Sequence, residues 1–476
     1  FEQLDAVTVH WFNLSVPSLD QHVEKGPITL TELILPEGSC PYLYVWDGER
    51  YRFVTDILGS APLGLPAVEG VYIDADPFEY VWLGNRETFR PRNNHYEIQL
   101  TEELREVLYL DEVKLCVVDH PRGTEVHSTS KLRSRKPYPV PELVTVGNPR
   151  MLLDATDLEG KNITATLSKI DGQMISPRSL RSPQLRGLAE LHGIVLDFGL
   201  LDSERPLVLA LTGWLRFGGG MANMAASHDA SLPFPFPVLE VETSQGEWQR
   251  LEIDVGAPAG KTKTILIDLT GKLPKNARRL KLTAGFEIHW DRAALFDRVS
   301  NAETRIVKLS PTRTDLHWRG FSEFANLPPS QPLTPIYDAV FQQPFWRITP
   351  SGWATRYGGV DALLEKRDDA LVLVCGGDEL TLQFAANQIP TPSEGRQQNF
   401  YLYADGWDKD SDFHVVTGTQ IEPIPWHGMN DQLLGREPLP EGYDTSWKTH
   451  WNTRWVGEKT LSTRASAKDG RAPVKR

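Results

Sequence analysis

The sequence predicts an all-β protein of consecutive antiparallel, sandwich-like domains, with helix as a minor component. Three observations carry that prediction. Fourteen Trp, with 37 Gly and 35 Pro spread along the chain, suit short strands joined by many turns. Apolar residues alternate with polar ones at period two in stretch after stretch, the pattern of a strand with one face buried. Asp47-Gly48, between two apolar runs, is a strong hairpin signal. At 476 residues the chain is too long for a single core. It divides into a first β region over 1–137, a sandwich of jelly-roll type over 138–300, a C-terminal β domain over 301–461 and a disordered tail over 462–476.

Composition narrows the function classes. A net charge of −13 repels nucleic acid and anionic headgroups, so neither is an expected partner. The longest apolar run, Leu207–Leu211 continued by Trp214 and Leu215, is far too short to span a bilayer. Three cysteines, Cys40, Cys116 and Cys375, neither demand a disulfide framework nor exclude one bridge. Opening on Phe1 without a charged-then-apolar leader reads as a processed or truncated chain.

In chain order, Val7, Val9 and Trp11 alternate with polar neighbours, as do Ile28 and Leu30, and each set predicts a strand. Tyr42–Trp46 and Glu49–Val54 flank Asp47-Gly48, and a two-residue type I′ turn there pairs Trp46 with Glu49, Tyr44 with Tyr51 and Tyr42 with Phe53. One face of that hairpin is an aromatic ladder, more often a core face than a platform for sugars. Tyr96, Ile98 and Leu100, then Val113, Leu115 and Val117, predict two long strands. Thr101–Leu110 between them reads as strand in preference to a short helix. The Pro-rich stretch 136–142 separates this region from the next.

Several phrases resemble a known family: GSCPYLYVWDGERYRFVTDILG, YEIQLTEELREVLYLDEVKLCVVDHP, AGKTKTILIDLTG, NFYLYADGWDKDSDF and PIPWHGMN. Together with VTVHW and ITLTE they resemble the C-terminal regions of bacterial FG-GAP repeat proteins that carry the ASPIC/UnbV module. The likeness covers most of Phe1 to Met429, although Phe12-Asn13-Leu14 stands where that module usually has Pro and Gly. The resemblance implies an exported or surface-associated β-rich protein that associates with an upstream β-propeller or other chains. It supplies no catalytic residues. In a bacterial source the acceptor triplets at Asn13 and Asn162 are incidental.

The middle region holds the cleanest alternation. Leu280, Leu282, Ala284, Phe286, Ile288 and Trp290 are apolar at every even position, which places Glu287, His289 and Asp291 together on the opposite, wetter face. Those three lie close enough to share a ligand or a metal, against the plainer reading of a solvated polar face. Gly218–Pro237 reads as a long loop at a sheet edge. Gly256–Thr262 superficially resembles a P-loop, but it has three residues between its glycines where that motif needs four, and a strand rather than a helix follows.

In the last region Leu371–Cys375 and Leu380–Phe384 flank Gly376-Gly377-Asp378-Glu379, another predicted hairpin. Asn399–Asp405 is a strand that Gly406 ends, and Asp408, Asp410 and Asp412 follow as an acidic loop. Alternate carboxylates in a loop suit a hard cation, so Asp405, Asp408, Asp410 and Asp412 are the candidate ligands for Ca²⁺. Phe413 and Thr419 replace the glycine and glutamate of an EF-hand, which excludes that motif. Trp407, Trp426 and His427 are candidate ligand-binding residues beside the loop. Trp447, Trp451 and Trp455 recur every four residues, as on one side of a short helix.

Signatures of catalysis are missing: there is no G-x-S-x-G, H-E-x-x-H or C-x-x-C. The expected function is therefore a non-catalytic extracytoplasmic or cell-surface β protein that binds a protein partner or glycan, with calcium at the acidic loop. The alternative is a carbohydrate-active enzyme using two carboxylates of the C-terminal region.

Overall fold

The computed structural model describes residues 5–11, 18–20, 26–30, 41–134, 136, 138–182, 186–229, 236–344, 346, 348–429 and 439–457. Cys40, Asn13 and the tail over 462–476 lie outside these residues. The all-β expectation holds. Among the described residues, α-helix is confined to Thr164–Leu167, Gly219–His228 and Ser446–Trp451.

Four strands organise the chain: β1 (Glu106–Pro121), β2 (Ala277–Phe286), β3 (Ile288–Arg298) and β4 (Arg396–Asp410). One sheet runs in the order Arg305–Leu309, β1, β4, Phe78–Asn85, with Val372–Cys375 also paired to β1. A second runs Arg313–Trp318, Asp378–Ala385, His95–Thr101, Tyr42–Trp46, Tyr51–Asp56. Strands from before residue 137 and after residue 300 therefore alternate within the same two sheets. They also share a core in which Leu43, Leu100 and Leu115 cluster with Leu316, Leu373 and Phe400. The spans expected as separate first and third domains are joined in this way because each supplies partners for strand edges that the other leaves open.

The middle region forms two further five-stranded sheets. One is Glu125–Ser128, Leu143–Arg150, β3, Leu207–Leu215, Lys263–Asp268, and the other is Asp154–Asp157, Leu188–Leu201, β2, Val238–Glu242, Trp248–Arg250. The even-numbered residues Leu280 to Trp290 all enter the core between them, as the alternation predicts. The chain does not stay in one sheet, however. It crosses at Glu287, so β2 pairs with Leu188–Leu201 while β3 pairs with Leu207–Leu215.

The same device corrects the second predicted hairpin. Val372–Cys375 pairs with β1, whereas Asp378–Ala385 pairs with His95–Thr101 in the other sheet. A third crossing, over residues 102–105, leads from His95–Thr101 into β1 and lies against the second, since Gly377 N donates to Glu102 O at 2.7 Å and Glu102 N to Asp378 O at 3.0 Å. Thr101–Leu110 is thus strand, corner and strand.

Other local expectations change too. Ile28–Leu30 carries no strand, and Gly218–Pro237 holds a helix, α1 (Gly219–His228). The short helix near the C-terminus carries Trp447 and Trp451, while Trp455 sits in the strand Arg454–Val456 against Trp353. Cys116 and Cys375 are buried and unbridged. The two halves of the structure meet at a buried ion triad, in which Lys263 Nζ lies 3.0 Å from Asp56 Oδ1 and 2.9 Å from Glu79 Oε1.

The first hairpin keeps its faces but shifts its register. Trp46 pairs with Tyr51 and Tyr44 with Phe53, two residues from the predicted pairing. Asp47 Oδ1 accepts the N–H groups of Glu49 and Arg50, both at 2.9 Å, so the loop holds four residues rather than two. A shift of two preserves the side of Tyr44 and Trp46, and an irregularity between Leu43 and Tyr44 then sets Tyr42 opposite Asp56. The aromatic face is covered: Tyr42 and Tyr44 are fully buried against Phe324 and Tyr337. Gly48 has φ +112°, and a Cβ there would lie 3.0 Å from Arg90 Cδ. Gly48→Val is therefore expected to cost more than about 1 kcal/mol in a denaturant melt; an unchanged midpoint would contradict the turn.

Candidate functional site

All fifteen residues of β4 pair with β1, from Arg396 opposite Pro121 to Asp410 opposite Glu106. The expected acidic loop after Gly406 is therefore strand through Asp410. Its cause is an irregularity in the ladder, since Asp405 faces Glu112 while Gly406 faces Leu110, leaving Asp111 as an extra residue on β1. The bulge reverses the alternation: Phe400, Leu402 and Ala404 enter the main core before it, and Trp407 enters after it. Tyr401 and Tyr403 pack into a smaller core with Cys116 and Val118 on the other face.

The bulge also separates the four predicted calcium ligands. Asp405 joins Asp111 and His427. Asp405 Oδ1 lies 2.9 Å from His427 Nε2, and His427 Nδ1 lies 2.6 Å from Asp369 Oδ1 and 3.5 Å from Asp111 Oδ2. Asp111 in turn accepts the N–H groups of Asp368 and Asp369. Burial alone depresses an imidazolium, yet Asp369 and Asp405 outweigh it and hold His427 at about 9. Burial pushes Asp111 up to about 7 and raises Asp405 as well. With both ring nitrogens within hydrogen-bond reach of carboxylates, His427 acts as a charged clasp, and its group with Asp111 and Asp405 also has the spacing of metal ligands. His427 fastens the segment around Pro425 to the ladder, stacked at 5.8 Å on Phe78 and 4.7 Å from Trp407. Trp407 is 2% exposed and takes no part in a surface. Trp426 is half-buried against Tyr443.

On the far side of the bulge, Asp408 meets Glu102 and Glu106, with one carboxylate oxygen of each lying within 4.8 Å of the others. Burial first, then the neighbouring acids, raises Glu106 and Asp408 well above the usual carboxylate range. The Ala61–Leu63 backbone holds Asp408 in place, since Leu63 N donates to Asp408 O and Asp408 N to Ala61 O. Asp410 and Asp412 are otherwise engaged. Arg105 Nε lies 3.2 Å from Asp410, its guanidinium 3.8 Å from Asp412, and the Asp412 carboxylate packs against Gly219 and Gly220 at the start of α1, the positive end of the helix dipole. Lys409 points the opposite way and donates to Ile421 O, with burial lowering it to about 7.

Glu106, Asp408, Asp410 and Asp412 form the acidic wall of a cavity of about 520 Å³ between the two halves of the structure. Leu58, Leu63, Leu215, Phe217, Phe286 and Trp346 give it an apolar lining, and Arg105, Arg133 and Arg216 add donors. Such a size and mixture suit a small organic ligand held by a few polar contacts.

Glu287, His289 and Asp291 do not lie on a wet face. They are 2%, 3% and 1% exposed; Glu287 and His289 are coupled, with 3.6 Å between Glu287 Oε1 and His289 Nε2, while Asp291 is engaged elsewhere. Glu287 binds Arg186 and Arg216 at the sheet crossing, His289 stacks at 4.4 Å on Trp214, and Asp291 accepts the N–H groups of Asp171 and Gly172. The chain covers these odd positions with segments that the local alternation does not encode. Glu102, Glu106, Asp111 and Asp369 were missed by sequence reasoning, and their only signal was the run of acids at Glu102-Glu103 and Asp368-Asp369.

No family model matches the chain, so the resemblance to ASPIC/UnbV-type proteins stands on the quoted phrases alone. No curated protein matches either. Among solved structures, the N-terminal CBM22-1-CBM22-2 tandem domain of Xyn10C from Paenibacillus barcinonensis is similar at 11% identity and a TM-score of 0.16, over 67% of this chain and 95% of that one.

The clasp has a defined pH dependence. His427 binds its proton more tightly when folded, at about 9 against roughly 6.5 unfolded. Its contribution to stability is therefore complete below about pH 6.5 and is lost as pH rises through 9. Over that window wild type is expected to lose about 2–3 kcal/mol more stability than His427→Gln, measured by urea melts of both at pH 6.5 and 9. Parallel pH profiles would remove the charge from His427.

Proposed function

We propose that this chain is a non-catalytic ligand-binding β protein whose cavity takes a glycan. The observation that carries this reading is the cavity itself, with carboxylates along one wall and apolar side chains opposite. A sugar ring has hydroxyls around its edge and an apolar C–H face. Acidic side chains accept from the hydroxyls, arginines donate to ring and hydroxyl oxygens, and the half-buried Phe217 supplies a surface for the apolar face. A volume of about 520 Å³ suits a short oligosaccharide. The extracytoplasmic or cell-surface placement, and association with other chains, rest on the resemblance of the quoted phrases.

One observation favours the carbohydrate-active enzyme as the second reading. Glu106 and Asp408 lie on the cavity wall with raised proton affinity, as a general acid and its partner do. A glycan array followed by calorimetry is expected to find a bound oligosaccharide, with Phe217→Ala weakening it at least about tenfold. Release of new reducing ends from that oligosaccharide would establish the enzyme. Absence of binding across the array by folded protein would sink the glycan reading.

A further inference from the structure

We propose that Glu102, Glu106 and Asp408 bind a hard divalent cation, calcium in the first instance, in the acidic wall of the cavity. This goes beyond the glycan reading and does not depend on it. Glu102 lies in the corner between two sheets, Glu106 opens β1, and Asp408 comes from β4, so long-range pairing alone brings them together. An ion with oxygens at roughly 2.3–2.6 Å accepts ligand atoms up to about 5 Å apart. One carboxylate oxygen of each residue meets that limit, all lying within 4.8 Å of one another.

A second observation separates this cluster from a chance gathering of acids. Glu106 is 4% exposed and Asp408 8% exposed, and Glu106 Oε2 and Asp408 Oδ1 have no hydrogen-bond partner among the described residues. A buried carboxylate oxygen without a donor is costly, and several together repel one another. The nearby cations are already committed. Arg105 reaches Asp410 and Asp412, and Lys409 is turned to Ile421 O on the other face. Among the described residues no Lys, Arg or His forms an ion pair with Glu106 or Asp408, which leaves a place for a cation from outside. Ligands that are oxygen alone, with neither His nor Cys, select a hard ion over zinc. Glu106 and Asp408 border the cavity, so water or a ligand hydroxyl completes the shell from that side, where calcium tolerates irregular geometry and magnesium does not.

The test uses the full chain, stripped with chelator and titrated with CaCl₂ by calorimetry and thermal melting. One saturable site is expected, with affinity between micromolar and millimolar and a rise in melting temperature of about 3 °C or more at about 10 mM Ca²⁺. Glu106→Gln and Asp408→Asn should each weaken binding at least about tenfold. Their metal-free melting temperatures should equal or exceed that of wild type, because each removes repulsion, and this also shows that the variants fold. Asp412→Asn should keep calcium binding, since Asp412 serves Arg105 and α1. Three results would overturn the assignment: no saturable heat and no melting shift in folded wild type, an undiminished shift in Glu106→Gln, or a magnesium response equal to that of calcium.

Discussion

The β1–β4 ladder is the constraint on which the rest depends. It is the longest pairing among the described residues, and both of its strands are buried over nearly their whole length, so every backbone group along it has to be satisfied by its neighbour. A strand enclosed on both faces gives its polar side chains nowhere to reach solvent. Each carboxylate on β4 therefore needs a partner supplied by another element. One extra residue, Asp111, decides which partner each receives, because the bulge it creates turns Asp405 toward His427 and leaves Asp408 with Glu102 and Glu106.

Crossings between sheets are the second organising feature. The chain changes sheet at residues 102–105, at Glu287 and at Gly376-Gly377, and each corner interrupts a ladder and frees backbone groups. Buried charge gathers at these places. Glu287 takes two arginines, Glu103 accepts from Ser322 and Arg319, and Asp378 accepts from Cys375 N and Arg454. These acids do structural work at a corner, while Glu106 and Asp408, beside the first corner, open instead onto the cavity. The Asp56–Lys263–Glu79 triad then holds the two halves so that the cavity has walls from both. Removing one member of such a triad leaves a buried charge unpaired, which makes the arrangement specific whatever its net contribution.

Much of the fold was legible in the sequence because period-two alternation is a local consequence of strand geometry. Leu280 to Trp290 displays its core face without reference to any other segment, and Gly48 announces its turn through a backbone angle that few residues accept. Asp408 was legible as an acid with a site to serve. Its partners were not, since Glu102 and Glu106 lie some three hundred positions away in sequence and meet it only through the ladder register.

By itself, then, the sequence determined the class of fold, the inward faces of the strands and the unusual acidity of the segment around Gly406. Only tertiary structure decided which sheet each strand joined, which faces were covered twice, and how the four acids of that segment were divided. The physical reason is one of range. Side-chain alternation and turn preference act over two to four residues, whereas sheet membership, a bulge and the burial of Glu287 or Asp405 follow from pairing between segments far apart in the chain.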